Sequence, residues 1–301
     1  MPELQYTFVY KTHCNMCGTD LKDQIVMGKR LNQSQGLRPD KKIGYTTTIC
    51  KCNVCGLVYC NPMPKPASIE MHYSVPPESY WVESYFNYTE EQIKSQVAYF
   101  TGIFGNLNGK TILDIGAGIG KSMAAFNKGG GIAYGIEPSK PFYDRAISKM
   151  SIKPEQLSNT SIEDAEFPDD MFDFISYDVV LEHVYDPTLT LKKVIKWLKP
   201  GGKVFIVVPN ANWLIANTVN LLYKLRGMDY VTNLSPFHMP YHLTEFTPES
   251  FHRNSKIVGY KVVDIKTKVC DTYMPKLLDP ILRSFMKMTN TGMELNVYLT
   301  K

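Results

Sequence analysis

The chain has 301 residues, room for one large domain or two smaller ones, and a formal net charge of only +4. A dedicated nucleic-acid binder would show a basic stripe. The only cluster here, Lys192, Lys193, Lys196 and Lys199 with Lys203 nearby, reads as a solvated helix face. No apolar run approaches the roughly 18 residues of a membrane span. The start, MPELQYTFVYKTH, is mixed rather than apolar, so the cytosol is the expected compartment and the seven cysteines are expected to be reduced.

Six of those cysteines fall within residues 1–66. Cys14/Cys17 and Cys52/Cys55 form two CxxC pairs, each followed by a glycine that permits a tight bend. Two such knuckles aim four thiolates at one ion, the closed tetrahedral set of structural zinc. The gap between them exceeds that of compact fingers, but a zinc ribbon tolerates an insert. Residues 1–66 are therefore expected to form a zinc-ribbon module. Cys50 and Cys60 are spare, Cys50 being a rival ligand, and His13 is read as a neighbour.

Pro62, Pro64 and Pro66 break regular structure and mark a boundary. Residues 67–105 read as an aromatic-rich helical linker or lid, with His72, Tyr73, Tyr80, Trp81, Tyr85, Phe86 and Tyr88 ahead of a helix. Thr89 and Gln92 make a capping box. Ile93, Val97, Phe100 and Phe104 follow at helical spacing. The aromatics are expected both to pack the module onto the core and to face substrate.

Next comes DIGAGIG, from Asp114 to Gly120, with apolar Ile112, Leu113 and Ile115 around its start and a helix from Lys121 to Lys128. Strand, glycine loop and helix build a nucleotide-type pocket at the carboxyl end of a parallel strand. The third glycine comes one place early for a dinucleotide fingerprint. Ile115 stands where a P-loop needs its first glycine. A carboxylate at the loop entrance suits a cationic ligand better than a pyrophosphate.

A second short strand, residues 132–136, ends at Glu137, an acid placed to accept from both hydroxyls of a ribose. Residues 139–150 read as a helix and 158–162 as a third strand. Residues 172–178 read as a fourth strand, running into VVLEHV. Asp186-Pro187 opens a helix, with Asp as N-cap, which Lys199-Pro200-Gly201-Gly202 stops. Residues 203–209 read as a fifth, fully buried strand. A helix is expected over 212–226, then a loop carrying His238, Tyr241 and His242, then a helix over 247–255. Residues 260–268 and 295–301 give two last strands with an antiparallel finish, and 270–292 is uninformative. The fold class is α/β, a doubly wound, mostly parallel seven-stranded sheet behind the small zinc module.

DIGAGIG, Glu137, EDAEFPDDMFDFI, VLEHV with its following DP, and LKPGGKVFIVVPN stand in an order that resembles the Rossmann-like methyltransferases dependent on S-adenosylmethionine (SAM), of the ubiquinone-biosynthesis type. The resemblance covers about residues 108–210 and, more loosely, 240–270, within a methyltransferase domain expected over 106–301. It implies SAM as cofactor. Asp114, Gly116, Ala117 and Gly118 fall on the SAM loop, Glu137 on the ribose acid, and Ser161, Ile162 and Glu163 on the adenine loop. Many relatives carry an acid where Ser161 stands. Tyr177 and Asp178 fall at the methionine end. A zinc ribbon ahead of such a core resembles the sugar C- and O-methyltransferases, in which the Glu-His pair faces substrate, here Glu182 and His183.

Methyl transfer needs an aligned nucleophile about 3 Å from the methyl group and a base for its proton. His183 is the first candidate. Glu182 is placed to orient it, and Tyr177, His238 and His242 are alternatives. The expected acceptor is a small molecule, a sugar or nucleotide sugar, with no nucleic-acid or membrane partner. The competing readings are an RNA methyltransferase whose ribbon grips RNA and a SAM-binding regulator without activity.

Overall fold

The computed structural model describes residues 6–31, 46–68, 73, 86, 88–237 and 241–301. Most of the expected aromatic lid, and His238, lie outside these residues. Among the described residues, Thr89 and Gln92 form the capping box of α1 (Glu90–Phe104), whose Phe100 and Phe104 are buried.

The main sheet has seven strands in the order β12-β13-β10-β9-β6-β7-β8. These are β6 (Thr111–Ile115), β7 (Ile132–Ile136), β8 (Leu157–Ser158), β9 (Phe172–Asp178), β10 (Leu198–Pro209), β12 (Lys261–Lys268) and β13 (Glu294–Thr300). β6 runs parallel to β7 and β9, and β9 parallel to β10. β13 is antiparallel to both β10 and β12. Right-handed crossovers through α2 (Lys121–Lys128), α3 (Lys140–Lys149) and α4 (Pro187–Trp197) are the natural connections of such a sheet. The strand order reverses between β6 and β9, and a ligand crevice opens there at the strands' carboxyl ends.

Two expectations shift. The third strand shrinks to Leu157–Ser158. Just beyond it the amides of Asp164 and Ala165 turn back to the Ser161 carbonyl, at 3.3 and 3.0 Å, which takes the chain out of extended geometry. The fifth strand begins early, at Leu198, with a register shift between Leu198 and Lys203. The uninformative stretch contains a helix, α7 (Asp279–Met288).

The cysteine-rich region holds β1 (Tyr6–Val9), β2 (Ile25–Leu31), β3 (Thr46–Lys51), β4 (Val58–Cys60) and β5 (Met63–Pro66). β1 pairs with β5. β2, β3 and β4 form an antiparallel sheet completed by β11 (Thr244–Glu245), which comes from the other end of the chain. Between β10 and β11 lies α5 (Leu214–Leu225), and after β11 comes α6 (Pro248–Val258). The cysteine region and the main sheet share one core, in which Cys14, Cys52, Leu57 and Tyr59 are continuous with Trp197, Phe246 and Phe251. Thr247 Oγ1 donates to the Cys55 carbonyl at 2.5 Å, and Asn254 Nδ2 to that of Met16 at 3.0 Å.

Candidate active site

The glycine loop takes its shape from what lies against it. Gly116, Gly118 and Gly120 all have positive φ, 71°, 55° and 81°. The amides of Gly116 and Ala117 both donate to the Ile136 carbonyl at 2.9 Å, tying the loop to β7. A Cβ on Gly116 would stand 3.2 Å from Val180 Cγ1 and closer still to Cγ2. The opposite wall comes from a strained turn. Val179, β-branched, has φ 56°, a costly conformation for that side chain. Its amide is held by the Val207 carbonyl at 3.0 Å. The turn throws Val180 across Gly116 and starts the single 3-10 turn Leu181–His183.

Between these walls is a cleft lined by Gly116, Ile136, Ser161, Ile162, Glu163, Val180, His183 and Tyr185, with Tyr73 also reaching it. Five of the residues expected from sequence therefore line one cavity. The Glu137 carboxylate stands beside it, accepting from the Gly118 amide at 2.8 Å and the Ser139 amide at 2.7 Å. Each oxygen keeps a further lone pair for a ligand hydroxyl. Burial pushes this acid up to about 7 against the pull of the two amides. Asp114 is buried, and burial, reinforced by Asp178 and Glu137, holds its carboxyl well above the usual range. A cationic ligand would relieve that crowding. Ser161 donates to Asp164 at 2.9 Å, so a carboxylate stands beside position 161. Lys193 caps the Glu163 carbonyl at 2.8 Å. Asp178 is exposed at the end of β9.

Beyond Val180 the chain gathers three ionisable groups. Glu182 is fully buried, and neither carboxylate oxygen has a hydrogen bond among the described residues. His242 Nε2 lies 3.6 Å from Glu182 Oε1. The His183 and His242 rings meet edge to face at 5.0 Å. The ligand atoms of all three lie within 4.8 Å of one another. His183 Nδ1 faces the Tyr241 carbonyl at 3.3 Å, which accepts from an Nδ1–H tautomer and leaves Nε2 with the lone pair. Burial draws His183 down to about 4, with that carbonyl opposing, so the ring is neutral at ordinary pH. Tyr177 is fully buried in the core, away from the cleft lining, and its hydroxyl has no partner among the described residues.

Sequence reasoning did not single out Val180, Val184 or Tyr185 as cleft residues. The trace was the VLEHV run itself, which contains Val180 and Val184 and is followed directly by Tyr185.

The four expected thiols also converge. Cys14 Sγ is 3.5 Å from Cys55 Sγ, and Cys17 Sγ is 3.6 Å from Cys52 Sγ. A tetrahedron with Zn–S bonds of about 2.3 Å has edges of about 3.8 Å, so the set fits one zinc ion with little adjustment. Cys50 and Cys60 are buried but lie outside the four-thiol group.

Among curated relatives, the ubiquinone biosynthesis O-methyltransferase of Coxiella burnetii is 31% identical over 163 residues, covering 53% of this chain and 67% of that protein. The Aeromonas salmonicida protein of the same name is 29% identical over 171 residues, covering 56% of this chain and 69% of its own length. In fold, a SAM-dependent methyltransferase from Archaeoglobus fulgidus superposes with a TM-score of 0.50 at 15% identity, covering 73% of this chain and 97% of that one. The methyltransferase-domain family matches residues 85–265. That span carries the glycine loop, Glu137 and the Glu182–His183 turn, and by it the chain belongs to the methyltransferase-domain family and is a SAM-dependent methyltransferase.

Proposed function

We propose that the protein transfers the SAM methyl group to a hydroxyl of a small cyclic acceptor, a sugar or nucleotide sugar, with His183 as the general base. The carrying observation is the cleft-lining His183, whose Nδ1 faces a carbonyl and whose Nε2 keeps its lone pair. O-methylation agrees with the name borne by the curated relatives, whose own acceptors belong to ubiquinone synthesis.

Bound SAM supplies an electrophilic methyl on a sulfonium. Asp114, Gly116, Ala117, Gly118 and Glu137 would hold it, with Ser161, Ile162 and Glu163 toward the adenine and Asp178 toward the methionine end. That methyl would pass to the acceptor oxygen, with a neutral thioether as the leaving group. His183 Nε2 takes the hydroxyl proton. Glu182 lies 3.6 Å from His242 Nε2; burial holds its carboxyl well above the usual range, and a positive charge on the imidazoles would favour its ionised form. Tyr73 and Tyr185 offer ring faces to a cyclic acceptor.

Cys14, Cys17, Cys52 and Cys55 hold one structural zinc. Its four thiolates leave no open position for chemistry.

Nucleotide sugars and bulk RNA, offered with labelled SAM at low and high salt, test the acceptor class. A labelled small product whose yield is insensitive to salt is expected. Labelling of RNA that falls steeply with salt, as phosphate contacts require, would overturn the small-molecule reading.

A further inference from the structure

The cysteine knuckles reach into the active site through the backbone that follows His183. The Tyr185 carbonyl accepts two side-chain hydrogen bonds, from Lys11 Nζ at 3.1 Å and from Asn15 Nδ2 at 2.8 Å. Asn15 sits inside the first CxxC pair, and Lys11 precedes it by one turn of chain. Thr188, three residues past Tyr185, donates its hydroxyl to the Asn15 carbonyl. Lys65 lies over the Tyr185 ring, 5.6 Å from its centroid. The loop over 182–188 is thus pinned at Tyr185 and Thr188 by Lys11, by the first cysteine knuckle and by Lys65 of β5.

The other side of the Glu182 cluster is pinned by the same region. The Leu243 amide donates to the Glu182 carbonyl at 2.9 Å, and the Leu243 carbonyl faces Cys60 Sγ at 3.8 Å. The next residues, Thr244 and Glu245, pair with β4. His242 therefore meets Glu182 because β11 is a strand of the cysteine-bearing sheet.

A ribbon that only stabilised the fold, or that gripped nucleic acid, would have no need to spend two part-buried donors on one carbonyl in the cleft wall. We propose that Lys11 and Asn15 are positioning residues: by clamping the Tyr185 carbonyl they set the wall formed by His183 and Tyr185, and metal loading of the four-thiol site fixes that wall. The proposal rests on the methyltransferase and zinc readings above and adds that the two are mechanically coupled.

The test uses the full chain with S-adenosylhomocysteine, the demethylated product, as probe. Asn15→Asp keeps the side chain's size but replaces the donor with an acceptor. It should keep about one zinc per chain yet bind the probe about tenfold more weakly, a change of about 1.4 kcal/mol. Lys11→Met should behave likewise, and Lys11→Arg, which retains a donor, should restore binding. Hydrogen exchange on the wild-type protein supplies a second readout that needs no variant. Chelating the zinc should deprotect amides over 180–188 and 242–245 together with those of the knuckles, while β6 and β9 stay protected. If Asn15→Asp and Lys11→Met hold zinc and bind the probe like wild type, the clamp has no positioning role. If 180–188 stays as protected as β6 after chelation, the coupling is wrong. A wild-type protein that binds neither zinc nor probe would instead sink the underlying functional reading.

Discussion

Gly116→Ala asks whether the turn after β6 is built around a missing side chain. Gly116 has φ 71°, where a non-glycine residue loses about 1–2 kcal/mol. The new Cβ would also press on Val180, 3.2 Å from Cγ1 and nearer to Cγ2. Overpacking of that kind costs about 1–3 kcal/mol, so the whole effect is about 2–5 kcal/mol. Gly201 provides the control. Its φ is 74°, yet nothing lies within 4 Å of its built Cβ. Gly201→Ala therefore reports the backbone term alone. The difference between the two variants isolates the contact with Val180. Because Val180 lines the cleft, part of that difference should appear as lost affinity for S-adenosylhomocysteine, tenfold for each 1.4 kcal/mol. Urea unfolding measures the stability term and calorimetry the affinity term. In a double-mutant cycle, Gly116→Ala with Val180→Ala should recover at least about 1 kcal/mol relative to additivity. Equal losses at Gly116 and Gly201 with an additive cycle would refute the idea that Val180 closes on the loop.

Metal analysis should find about one zinc per chain, as four thiolates in a closed site require. Cys52→Ser should lose it, while Cys60→Ser should keep it, since Cys60 lies outside the four-thiol group. His183→Ala should cut methyl transfer by roughly 10² to 10⁴, the usual worth of a general base, with affinity for SAM nearly kept; an unimpaired variant would remove His183 from the chemistry. The acid limb of the wild-type rate should lie near pH 4 rather than 6.5, because the buried ring stays neutral down to that pH. Glu137 titrates near 7 in the folded chain against an ordinary 4.5. The folded state thus holds the extra proton across that window. This group's contribution to the stability of the unliganded protein is full below about 4.5 and is lost as pH rises through about 7. SAM affinity should rise over the same window, since the ionised carboxylate is the better acceptor of ribose hydroxyls. Glu137→Gln should flatten both trends, and calorimetry at pH 5.5 and 8 decides.

The parts of the site that could be read in advance are those with a local cause. Three glycines in five positions after an apolar run specify a positive-φ loop. An acid at the tip of the next strand follows from the length of one crossover. Asp186 as N-cap needs only its own side chain, which accepts from the Leu189 amide. Residues whose place depends on distant partners were not legible. Nothing around Thr244 announces a strand, because β11 has two residues and exists only through β4. His242 could be seen as one of several histidines, but not as the neighbour of Glu182. The third strand misled for a local reason: the pull of residues 158–162 toward extended structure is overruled by the turn that Ser161 and Asp164 close.

The way β11 completes the cysteine-bearing sheet also bears on how the chain is made. Cys55 waits for Thr247, 192 residues later, and Met16 for Asn254, 238 residues later. A nascent chain folds from its N-terminus as it emerges. β4, whose three residues are all buried in the finished protein, would meanwhile present an unpaired apolar edge. A metal captured early by the four thiols would hold the two knuckles together through that interval. The edge itself closes only when Thr244 and Glu245 have left the ribosome.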